Sequence, residues 1–184
     1  MKKILAILLM ALSCGLVNAQ VANDNHFGSI TLTDGTVITG EIKNSIRKNA
    51  AVSLVDNTGK KKIFSGNDIT AATINNVNYL CIKGDFFKTI CTGKLCFLQK
   101  ESDASGKPIY NGAEAVFANG TEGKIGDFYL YSNQTLKHLN KKTANQIIEA
   151  ELAGCTAAVD KARQLNGDMA ALAEAITIYN NSKN

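Results

Sequence analysis

Nucleophilic catalysis needs a nucleophile, a base and an orienting group within hydrogen-bond reach. This chain offers two histidines, His26 near its start and His138 between Lys137 and Leu139. It has no Gly-x-Ser-x-Gly elbow. Cys155 opens a helical stretch, where a thiolate could be activated, but a disulfide or core position accounts for it more simply. Two histidines and no Cys-x-x-Cys make a poor zinc site. No segment alternates carboxylates as a calcium loop does, and Asp127 reads as a strand-edge residue. The sequence therefore implies no catalytic residue, metal or cofactor.

Binding chemistry is better represented. In Asp127 to Tyr131 the alternation puts Phe128 and Leu130 on one face, Tyr129 and Tyr131 on the other. The first pair reads as core; Tyr129 and Tyr131 are the aromatic candidates for a ligand, such as a sugar ring. Gly120-x-x-Gly123-Lys124-x-Gly126 lacks the spacing of a phosphate loop and leads into a strand, so it reads as a flexible loop. Loops on rigid scaffolds nonetheless often carry binding. Lys60-Lys61-Lys62, with Lys137, Lys141 and Lys142, could touch anionic glycans or headgroups. Solubilising charge and edge protection explain them more economically.

The first nineteen residues read as a signal peptide. Lys2-Lys3 is the basic region, Ile4 to Leu16 the apolar one, and Val17-Asn18-Ala19 the small-residue signal, with cleavage between Ala19 and Gln20. Lipoprotein processing at Cys14 fits less well, because Leu12 stands where a small residue is usual. The apolar run is short for a membrane span, and no second one follows. The expected product is periplasmic or extracellular, with a partner among envelope proteins or glycans. Removing Lys2 and Lys3 takes the formal charge from +4 to +2. So weak a balance argues against nucleic acid as a partner.

Export brings an oxidising compartment, where cysteines pair. Cys81, Cys91, Cys96 and Cys155 allow three complete pairings. A two-residue turn at Gly93-Lys94 would set Cys91 opposite Cys96, close enough for a disulfide. Cys81 with Cys155 would follow by elimination, and buried free thiols are the alternative.

These residues need a scaffold, and alternation supplies one. Asp34-Gly35 between alternating runs is a strong hairpin signal. A two-residue turn would strand Ile38 and Ile42 on the wrong face. A three-residue loop, Thr33-Asp34-Gly35, pairs Leu32 with Thr36 and Ile30 with Ile38, with Gly35 left-handed. Short runs continue at 51–55, 61–64, 69–74, 77–82, 86–91, 95–99, 108–110, 113–117, 127–131 and 135–139. From Thr143 the period lengthens to about 3.6. Thr143 and Gln146 suggest a capping box, with Ala144, Ile147, Ile148 and Leu152 as the apolar stripe. A second helix spans 156–165, and a third carries Met169, Leu172, Ala173, Ile176 and Tyr179.

The expected fold is α+β: an antiparallel β-meander, as a small barrel or sandwich, then C-terminal helices packed on it. Its parts are a frayed start at 20–27, a β-rich module at 28–139, helices at 143–180 and a polar tail. Leu32-x-Asp34-Gly35-x-x-x-x-Gly40-x-Ile42 resembles the opening hairpin of Sm-like and SH3-like small barrels. More widely, the chain resembles small exported β-rich proteins of Bacteroidetes-type Gram-negative bacteria. That likeness rests on Asn18-Ala19-Gln20, Gly28-Ser29-Ile30, Asn78-Tyr79, Gly126 to Leu130, Cys155 and Ile178-Tyr179-Asn180. It implies a compartment and an architecture and carries over no catalytic residue. The export signal and the missing catalytic groups point to an exported, non-enzymatic binding module, with an extracytoplasmic enzyme of unrecognised type as the alternative.

Overall fold

The computed structural model describes residues 25–111, 114–164, 168–169 and 171–182. The expected leader, its Ala19–Gln20 junction and Cys14 lie outside them. The first hairpin joins β1 (Asn25–Leu32) to β2 (Val37–Ser45) in the three-residue register, with Ile30 opposite Ile38. Leu32 N–H donates to Thr36 O at 2.8 Å, and Asp34 Oδ1 accepts Thr36 N–H. Gly35 takes φ +86°, where a side chain would be strained. Among the described residues Asn25 already pairs with Lys43, so His26 is strand rather than frayed start.

A four-residue helix, α1 (Ile46–Asn49), leads into β3 (Ala51–Val55) and β4 (Lys61–Ser65). The chain then returns. β5 (Ile69–Ile74) pairs with the other side of β1, and β6 (Val77–Ile82), β7 (Asp85–Cys91) and β8 (Cys96–Lys100) follow in order. A separate hairpin, β9 (Pro108–Asn111) with β10 (Glu114–Phe117), precedes β11 (Phe128–Ser132) and β12 (Thr135–Leu139). β11 pairs with β8, giving a ten-stranded antiparallel sheet edged by β4 and β12. The β4 edge carries Lys61 and Lys62, whose charge discourages further pairing.

The sheet curls until Gly66, beyond β4, bridges to Gly84 in the β6–β7 turn. A Cβ on Gly66 would lie 2.1 Å from Gly84 O, so only glycine permits that approach. Inside the curl lie Ile30, Ile42, Ile46, Val52, Leu54, Phe64, Ile69, Ala72, Ile74 and Phe86, all buried.

Farther along the same face, α2 (Ala144–Leu152), α3 (Thr156–Gln164) and α4 (Leu172–Asn181) cover a second core. Ile148, Leu152, Ala158, Leu172, Ala175 and Ile176 meet Leu95, Phe97, Leu130 and Leu139. The expected capping box does not form. Thr143 makes no side-chain cap, and its hydroxyl is buried without a partner. Asn140 Oδ1 instead accepts the N–H groups of Lys142 and Thr143 at 2.9 and 3.1 Å. Asn180 closes α4 against the β7–β8 turn. Its Oδ1 accepts Leu95 N–H at 2.9 Å, and its Nδ2 donates to Leu95 O and Thr92 O.

Candidate functional site

The cysteines are the first correction. All four are free thiols. A bulge between Thr89 and Cys91 shifts the β7–β8 register, so Cys91 opposes Phe97 instead of Cys96. One step of register turns a side chain to the other face. Cys91 therefore packs with the helices, its thiol 3.4 Å from Ala173 O, while Cys96 joins Phe87, Leu98 and Tyr131 on the opposite face. Cys81 lies against the curled core and Cys155 against the helical one, so this second pair is separated too. Burial raises the Cys81 thiol well above its ordinary pKa, which leaves it a neutral core group.

The tyrosines are the second. Tyr129 is 1% exposed, edge-on to Phe87 at 5.1 Å and stacked on His138 at 4.9 Å. Its hydroxyl donates to Glu122 O, and burial holds its pKa above the usual phenol value. Tyr129 therefore presents no ring face to a ligand. Tyr131 is half-buried beside Cys96 and Leu136. His138 Nε2 lies 3.0 Å from Asp127 Oδ2, a pair that braces the start of β11.

The glycine loop that reads as flexible is held in place by charge. Lys100 and Asp85, both with fully buried side chains, pair at 3.1 Å. Lys100 Nζ also donates to Thr121 O at 2.7 Å and Gly123 O at 3.2 Å. Asp85 accepts the N–H of Ala104, and both the N–H and hydroxyl of Thr121. Backbone carbonyls folded over a sheet must find donors, and a buried ammonium supplies several at once. Neither residue stands out in the sequence, since Lys100 directly follows the 95–99 run and Asp85 directly precedes the 86–91 run.

Two of the cavities bear on function. One, of about 560 Å³, lies over Leu139, Ala144, Ile148 and Met169, with Arg163 and Glu149 paired at its rim.

The other, of about 540 Å³, opens at the end of the curled sheet between His26, Asn44, Arg47, Lys48, Tyr79 and Glu101. Three of these break the core alternation. His26 stands opposite buried Ile42, Asn44 two residues beyond Ile42 on β2, and Tyr79 opposite buried Ala72. Each occupies an inward register position yet carries a polar group. Such local violations are where function is expected.

Two contacts order part of this cleft. Asn44 Oδ1 accepts Ile46 N–H at 3.0 Å. Burial raises the Tyr79 pKa, and the Glu101 charge adds to it. Arg47 Nε donates to Glu101 Oε2 at 2.7 Å, which holds the guanidinium cationic.

The chain matches no known family model, no curated protein and no solved structure. Its site has to be argued from its own geometry. Among the described residues, no helix is long and apolar enough to cross a membrane. Arg47, one of two arginines in the chain, was the available sequence signal for the cleft. Its partner Glu101 lies 54 residues away, so only folding reveals the pair.

Proposed function

We propose that this protein is an exported, non-enzymatic binding module of the cell envelope, whose partner is an envelope protein or glycan. The leader-like first nineteen residues support export. The observation that carries the binding role is the polar cleft at the mouth of the curled sheet. Its hydrogen-bonding groups converge on a rigid frame, as small-ligand sites on β-barrels do. An extracytoplasmic enzyme would call for convergent carboxylates of displaced pKa in such a cleft. This cleft holds one carboxylate, Glu101, tied to Arg47.

In-cell cross-linking of the tagged protein, followed by mass spectrometry, tests the reading. A dominant envelope partner, recovered with protein whose first residue is Gln20, is the expected result. Recovery in the cytoplasm with the leader intact contradicts export. Turnover of a metabolite without any envelope cross-link favours the enzyme.

A further inference from the structure

We propose that the cleft at His26, Arg47, Tyr79 and Glu101 binds a sugar acid, with the ligand carboxylate seated on Arg47. The assignment rests on the binding-module reading and names its ligand class. A guanidinium offers planar edges that each match a carboxylate. One nitrogen, Nε, is engaged by Glu101 at 2.7 Å. The two terminal amino groups have no partner among the described residues, and the Arg47 side chain is 68% exposed. Glu101 is only 14% exposed, so the anchor is sheltered while the fork faces outward. Exposed ion pairs contribute little to folding. Orientation of the free fork is the more informative consequence of this one.

The other groups select what surrounds the carboxylate. Lys48 and His26 also line the cleft and add donor capacity. The Tyr79 hydroxyl lines the same cleft and can donate to a ligand hydroxyl or accept from one. Glu101 Oε1 has no partner among the described residues and can accept a hydroxyl. An acceptor beside a donor, next to an anion-binding fork, suits a ligand that carries both an acid and hydroxyls.

Competing chemistries fit worse. A phosphate dianion would bring twice the negative charge of a uronate to a cleft that already holds the Glu101 carboxylate, and α1 is only four residues long. A fatty acid would need an apolar channel, yet the one aliphatic lining residue, Ile46, is already buried at 2% exposure.

The test titrates the purified protein with glucuronate and galacturonate, with the neutral parents glucose and galactose, and with acetate, by chemical-shift perturbation. The expected result is saturable uronate binding, about tenfold or more tighter than the neutral sugars or acetate. Shifts should centre on residues 44–48, 79 and 101. Arg47→Gln should weaken uronate binding about tenfold, with at most a small fall in melting temperature from the loss of the cation beside Glu101. Tyr79→Phe should weaken uronates and neutral sugars alike.

A uronate trisaccharide separates the sources. Tighter binding than the monosaccharide indicates a glycan chain, and equal binding a free sugar acid. The proposal is overturned by no uronate binding, by acetate or neutral sugars binding equally well, or by Arg47→Gln binding like the wild type. Failure here with the envelope cross-link intact removes the ligand assignment alone. Failure of both removes the binding module.

Discussion

The two halves of the sheet are stabilised by different means. From β1 to β6 one face is packed and the other is wet. Ile30, Ile42, Ala72 and Ile74 point inward, while Phe27, Val37, Thr39, Lys43, Lys61 and Ile63 on the outer face are exposed. From β7 to β12 both faces are covered, by the helices on one side and by the 118–127 loop at one end of the other. A sheet with one wet face can be held by alternating apolar side chains alone. A face covered by irregular backbone needs partners for that backbone, and here they come from the buried Lys100–Asp85 pair. The contrast is between stabilisation by pattern and stabilisation by specific polar contacts.

That contrast can be broken most sharply at Lys100. Lys100→Met leaves the Asp85 carboxylate buried and uncompensated, and should cost about 3–5 kcal/mol in chemical denaturation. A loss under about 1 kcal/mol would mean that the loop is held by something else. Next come the two cores. Ile30→Ala and Ile176→Ala should each cost about 2–5 kcal/mol. Because they lie in separate clusters, the double variant should be additive within about 0.5 kcal/mol. Coupling beyond that would show that the halves form one packed unit.

Asn180→Ala removes three hydrogen bonds to the β7–β8 turn and should cost about 1–3 kcal/mol. Amide exchange should rise at Leu95 and in α4 while β1–β2 stays protected. Gly35→Ala meets no neighbour within 4 Å, so its effect isolates backbone strain, about 1 kcal/mol. The smallest effect concerns pH. Asp56 lies below its ordinary pKa of 3.8 because it accepts hydrogen bonds from Thr58 and Lys60. A depressed carboxylate contributes stability that is present above that value and lost as pH falls through the folded one. Thermal melts between pH 5 and 2 should therefore fall less steeply for Asp56→Asn than for the wild type.

Legibility in the sequence followed the same division. The first hairpin was readable to the register, since Asp34-Gly35 and the Ile30/Ile38 alternation act over a few residues. The helices on the sheet were readable from their stripes. The Cys91–Cys96 pairing failed because one bulged residue, Ile90, moved Cys91 to the other face. The Thr143 cap failed because Asn140, three residues earlier, supplies the acceptor. The tyrosine site failed because periodicity separates two faces without revealing that a loop covers the second. The cleft went unseen because His26, Arg47, Tyr79 and Glu101 are spread over 76 positions of the chain.

By itself the sequence determined which strands and helices form, the first register and the apolar faces that must meet. These follow from contacts between near neighbours and from a period that every residue repeats. Tertiary structure alone decided which faces are covered twice, where Lys100 finds Asp85, and which polar groups gather at the open end of the sheet. Such pairings depend on how the sheet curls, and curl is a property of the whole chain that no short segment encodes.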